Sequence, residues 1–277
     1  MAPTWRSHRT HPKRLCHTIV PDLNTTTLYE HPLTERLRFF MRLEFLFRLA
    51  RHSLRNETEW DSHNCLAALL EILNIVGRID VKTEVIKELD RINSTLSALT
   101  QISGINHDTL NQLLTTLGGF KTQLHSMNGP LAQTLRKNEL FKLLIQRSGI
   151  PGGMCDFDLP PYRHWLKHPA THRIEDLRQW LGSLDTLRLS VELMLKLVRE
   201  SAEPAPQVAP GGNYQQNLDT ETPNQMIRIW LPADSPYFVE ISAGRHRFTA
   251  RFMEACTTAR PNQTTTDVEF HISCCAL

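Results

Sequence analysis

Apolar residues recur at helical spacing from Leu37 onward, through Phe40, Met41, Leu43, Phe47 and Ala50. Thr34 sits where an N-cap belongs, with Glu35 in the first turn. Phe39, Phe45, Leu46 and Leu49 widen the apolar stripe over most of the circumference. The stretch from Tyr29 to Arg51 therefore predicts a buried helix at the centre of a helical domain. A second helix follows caps at Asp61 and Ser62 and ends near Gly77. A third is capped by Asp80, with Val85, Leu89, Ile92 and Leu96 inward and the pairs Glu84–Lys87 and Glu88–Arg91 outward. A fourth opens at Asp108, where Gly118 and Gly119 predict a kink or a close helix contact. A fifth spans Leu131 to Ser148.

The stretch IPGGMCDFDLPPY (150–162) is irregular, because its glycines and prolines exclude a regular helix. Helices from Thr171 to Leu184 and from Asp185 to Ser201 precede EPAPQVAPGGN, which reads as a linker. Beyond it the period changes from 3.6 to 2: Ile227, Ile229 and Leu231 share a face, as do Phe248, Ala250 and Phe252, and Val268, Phe270 and Ile272. Short connections favour an antiparallel sheet with one face on the helices, and SAGRH (242–246) reads as a hairpin loop with a basic tip. The fold class is α+β, an N-terminal α-helical domain with a C-terminal antiparallel β-strand domain. The expected divisions are 1–27 as an arm, 28–202 helical, 203–212 linker and 213–277 β.

Net charge of +2 gives no whole-molecule attraction to nucleic acid or an acidic membrane. No apolar run reaches the roughly 18–20 residues of a membrane span. Residues 1–27 are basic and polar without an apolar signal core, and read as a disordered arm or as translation begun upstream of the true start. Six cysteines without such a signal point to reduced thiols in the cytoplasm.

The sequence carries no phosphate loop, dinucleotide turn, nucleophile elbow or zinc-protease motif. His164, His168 and His172 are spaced for one helix face, but Pro169 interrupts it, so surface histidines are favoured over a metal site. Cys274 and Cys275, adjacent on a strand, point to opposite faces and read as buried thiols rather than zinc ligands with His271 and Cys155. No catalytic constellation and no cofactor is expected. Arg42, between Met41 and Leu43 on the buried helix, needs an anion: an internal carboxylate such as Glu44 or Glu84, or one brought by a partner. Arg48, Arg51 and Arg55 read as a solvated rim.

YEHPLTERLRFFMRLEFL, RIDVKTEVIKELDR, IPGGMCDFDLPPYRHWL, ISAGRHRFTARFM and DVEFHISCC, in this order from about Leu28 to Cys275, resemble the ZapD family of bacterial cell-division proteins. The resemblance implies a homodimer with no catalysis of its own, recruited to midcell by FtsZ, the tubulin-like GTPase of the division ring. It implies that the protein binds the FtsZ C-terminal tail, bundles protofilaments and lowers FtsZ GTPase activity. It places the tail on a basic cleft of the helical domain, which here implies Arg42, Arg136, Lys137, Arg163 and His164. Glu139 stands where a basic residue is expected, and Arg163 where relatives tend to have histidine. The alternative is a nucleic-acid binder using the basic arm and the Arg-rich first helix, which the near-neutral charge disfavours.

Overall fold

A computed structural model describes residues 25–78, 80–101, 106–127, 129–219, 224–244, 246–256 and 258–277. Most of the basic arm, and Arg245 at the hairpin tip, lie outside the described residues. Among the described residues the first elements are a strand, β1 (Thr26–Pro32), and then α1 (Glu35–Ser53), whose N-cap Thr34 accepts from the Leu37 amide at 3.1 Å. There follow α2 (Glu59–Arg78), α3 (Val81–Ala98), α4 (His107–Ser126), α5 (Gln133–Lys137), α6 (Glu139–Ser148), α7 (Pro160–Leu166), α8 (Ala170–Gly182) and α9 (Asp185–Arg199). The remainder is β2 (Ala205–Ala209), β3 (Asn213–Asn217), β4 (Met226–Pro232), β5 (Tyr237–Ala243), β6 (Arg247–Glu254) and β7 (Val268–Cys275). The architecture is α+β, as the change of period predicts.

Side-chain caps decide several boundaries. Asp80 caps α3 by accepting from the Thr83 amide at 3.2 Å. Asn106, rather than Asp108, caps α4, because its side chain reaches the Thr109 amide at 3.1 Å. The expected fifth helix is two, broken where Asn138 turns extended and accepts from the Leu140 and Phe141 amides. α4 passes through Gly118 and Gly119 without the close contact expected there, since a Cβ at either would meet nothing within 4 Å.

α1 packs between α2 and α9, burying Leu37, Phe40, Leu43, Phe47 and Ala50. Its apolar stripe does not run round the whole helix: Phe45 is 64% exposed, and Leu49 also faces solvent. The acidic face of α3, read as outward, turns to α1. Arg36 Nε donates to Glu84 at 2.8 Å and Nη1 to the buried Glu88 at 3.1 Å, while Arg91 holds the other Glu88 oxygen.

The β part differs from a single sheet with one covered face. A four-stranded antiparallel sheet, β1-β4-β7-β2, packs on a three-stranded one, β3-β6-β5. Ile227, Ile229, Leu231, Phe270 and Ile272 meet Phe248, Ala250 and Phe252 between them. The opposite face contributes Met226 and Cys275 to the helical core. Two expected boundaries shift. Residues 26–32, mostly assigned to the helical part, pair with β4, and the linker holds β2, where Pro206 is tolerated because β2 is an edge strand.

The two parts are joined by charge as well as by apolar contact. Arg199, at the end of α9, forms bidentate pairs with Glu30 of β1 (2.9 and 2.9 Å) and Glu44 of α1 (2.6 and 2.7 Å). Arg228 of β4 adds a bond to Glu30 at 3.0 Å and another to the Arg199 carbonyl. Burial alone would lower the Arg199 pKa; the bonds to Glu44 and Glu30 outweigh it and raise it. Replacing Arg199 with Met leaves two half-buried carboxylates against one arginine, so urea unfolding is expected to show a loss of about 3–5 kcal/mol. Glu84 is held below the ordinary glutamate pKa by Lys87 and by Arg36, despite opposing desolvation. Its contribution to stability is therefore present above the ordinary value of 4.5 and lost as pH falls through the lowered one. Melting curves of Glu84→Gln are expected to depend less on pH in that acidic window than those of the parent.

A candidate anion-binding groove on the first helix

Residues 38, 42, 45 and 49 of α1 fall on one stripe by helical spacing, and this stripe faces away from the core. At its start lies a groove of about 430 Å³ between α1 and α2. Pro32, Met41, Phe45, Leu46 and Ile75 make it apolar, and Arg38 and Arg42 put two guanidinium groups on it, against one carboxylate from Glu71. Arg38 is partly committed, with Nε 3.4 Å from Glu35 and Nη2 donating to the Pro32 carbonyl.

Arg42 is exposed, which corrects the expectation of a half-buried charge. Neither internal carboxylate proposed for it is available. Glu44 is engaged by Arg199, and Glu84 by Arg36 and Lys87. Among the described residues Arg42 has no ion pair, and Glu71 is a carboxylate that lines the same groove.

The other sequence-predicted residues fall elsewhere. Arg136 folds onto the end of α2, where it donates to the Leu73 carbonyl and lies flat against Gly77, which has no Cβ to obstruct it. It thus adds a second donor to a carbonyl of α2 rather than facing a ligand. Lys137, next to it, is exposed. Glu139, the reversed charge, is balanced by Lys142 at 2.7 Å. Arg163 and His164 are exposed on α7, a short helix opened by Pro160 and Pro161. None of these four lines the Arg42 groove. The helix is interrupted at Pro169 as expected, α7 ending at Leu166 and α8 starting at Ala170, yet the rings of His164, His168 and His172 contact in succession, with centroids 4.9 and 4.6 Å apart. Among the described residues no group of His, Cys, Asp or Glu is placed to hold a metal ion.

Beside α7 the irregular stretch frames a cleft of about 730 Å³, lined in part by Trp60, His63, Met154 and Tyr162. His63 Nδ1 lies 2.7 Å from the Tyr162 hydroxyl, and burial pushes the His63 pKa down. What sequence reasoning missed is the exposed apolar component of α1. Phe45 lies four residues before Leu49 and three after Arg42, a spacing that marks one face only once the core-facing stripe is known.

The contrast between the two arginines is measurable. Arg136→Ala removes a charge-assisted bond to the Leu73 carbonyl, which keeps its intrahelical donor, and is expected to cost about 1–2 kcal/mol in urea unfolding. Arg42→Ala, at an exposed position without an ion pair, is expected to stay within about 0.5 kcal/mol of the parent.

No described helix is long and apolar enough to cross a membrane. The family model described as ZapD, a cell division protein, matches residues 41–251. Cell division protein ZapD of Methylococcus capsulatus is 38% identical over 250 residues, covering 90% of this chain and 98% of the relative. The ZapD proteins of an Azoarcus species and of Coxiella burnetii are 35% and 34% identical, over 90% and 91% of this chain and 99% of each relative. With a family model matched over most of its length and relatives aligned almost end to end, the chain belongs to the ZapD family of cell division proteins.

Proposed function

We propose that this chain is a non-enzymatic cell-division factor that binds the C-terminal tail of FtsZ and cross-links FtsZ protofilaments as a homodimer. It stabilises the division ring at midcell, to which FtsZ recruits it from the cytoplasm, and lowers FtsZ GTPase activity by holding filaments side by side. The observation that carries the reading is Arg42: an exposed guanidinium on an apolar groove, with Glu44 and Glu84 both committed to other arginines. A groove of this chemistry suits a short peptide carrying a carboxylate and an apolar side chain. Lys137 and Arg163 add positive charge, and His164 an imidazole, at separate exposed points of the helical part, which favours encounter more than it fixes a bound pose. Arg136 contributes through the shape of the α2 end.

Two tails held by one dimer make the second contact intramolecular. Modest affinity at each site then suffices for bundling.

The test is sedimentation with polymerised FtsZ, comparing the full-length protein with one lacking the C-terminal tail. Bundles are expected only with the tail present, and fewer at high salt. Arg42→Ala is expected to weaken tail binding by about 1–3 kcal/mol without loss of fold. Bundling of tail-less FtsZ to the same extent would sink the reading.

A further inference from the structure

The cleft beside α7 is walled largely by aromatic rings. The first turns of α2 supply Glu59 and Trp60, four and three residues before His63, so all three reach the same concavity. The Trp60 and His63 rings meet edge to face with centroids 6.1 Å apart, and the His63 and Tyr162 rings lie 6.1 Å apart. The irregular stretch adds Met154 and Phe157 to the lining. Trp60 is 77% and Phe157 72% exposed, so two large rings face water while bordering a concavity of about 730 Å³.

The irregular wall holds a fixed path. Gly152 takes a φ of +72°, and a Cβ on Gly153 would fall 2.2 Å from the Arg147 carbonyl oxygen. Successive turns are closed by the Gly153 amide donating to the Ile150 carbonyl at 2.8 Å and the Cys155 amide to the Gly152 carbonyl at 2.9 Å. The concavity is therefore formed before anything enters it.

Charge narrows what can enter. Among the described residues Glu59 is the only carboxylate lining the cleft, and no lysine or arginine lines it. Burial pushes the His63 pKa below its ordinary 6.5, so at neutral pH its imidazole carries no charge. Lys167 reaches Glu59 at 2.9 Å from outside the lining, but both side chains are about half exposed, and such a pair holds weakly in water. An anion would meet Glu59 and find no cation on the walls. A cation is attracted twice, by the electron-rich faces of the rings and by the carboxylate.

We propose that this cleft binds a small organic cation, an ammonium group carried on an apolar body, with the ammonium over Trp60 beside Glu59 and the body against Phe157 and Met154. The volume lies in the range of small-molecule sites and exceeds what a bare ammonium fills, which is why the ligand needs the body. The proposal stands independently of the Arg42 groove, with which the cleft shares no lining residue.

The probe is benzyltrimethylammonium, titrated by calorimetry against the full chain, with its uncharged carbon isostere neopentylbenzene and the anion benzenesulfonate in parallel. Only the cation is expected to bind measurably. Trp60→Ala is expected to weaken it about tenfold, through loss of the ring face. Glu59→Gln is expected to weaken it about threefold, and Lys167→Met, which frees the carboxylate, to tighten it by about the same factor. Amide exchange is expected to slow over residues 59–63 and 150–157. The three substitutions are at exposed positions, and unchanged melting curves verify the fold. The proposal is overturned if the parent does not bind the cation, or if Trp60→Ala or Glu59→Gln binds it as the parent does. Equal binding of neopentylbenzene overturns it by making the cleft a neutral apolar site, and equal binding of benzenesulfonate by removing the charge preference. A lower sedimenting mass for Trp60→Ala overturns it too, since the exposed rings are then covered by a second copy.

Discussion

Arg199 is the joint of this molecule. It stands at the last turn of α9, where a helix presents unsatisfied carbonyls, and it grips one carboxylate from the sheet and one from the central helix. Arg228 brings the cluster to two positive and two negative charges, so each half-buried charge has a partner. Bidentate geometry fixes angle as well as distance, so the junction sets how β1 and α1 lie against α9. The orientation of the α1 outward face follows from that joint.

The fold was legible in the sequence as far as periodicity reaches. The 3.6-residue spacing from Leu37 to Ala50 and the alternation in β4, β6 and β7 both reflect burial of one side, and burial is what composition records. What escaped was any element whose residues carry no period of their own. TTLYEHP alternates poorly, and APQVA contains a proline, yet both are strands because β4 and β7 offer them edges to pair with. Pairing is a tertiary fact, absent from a local window. The same limit explains α3: Glu84 and Glu88 look solvated until Arg36, nearly fifty residues earlier in the chain, is seen to lie against them.

For the candidate site, the sequence misjudged the surroundings of Arg42. An arginine between Met41 and Leu43 reads as hemmed in, but on a helix the immediate neighbours face elsewhere. The residues that share its face are three and four away. By that rule Phe45 and Leu46 are its companions, and they line the groove with it. Arg136 shows the reverse error. Its type and position suit a basic cleft, while its guanidinium closes the end of α2, which no spacing argument anticipates.

Strand β1 carries a consequence for how the protein is made. Its partner β4 lies about 200 residues further along the chain, and the four-stranded sheet has no other place for β1. At ribosomal rates of about 5–20 residues per second, β1 leaves the ribosome on the order of 10–40 s before β4 exists. Throughout that interval Glu30 has no Arg228, and a bare strand edge hangs beside a helical bundle that is being built without it. Birth of the chain thus passes through a stage at which the bundle can be largely complete while the joint that orients it has one jaw missing.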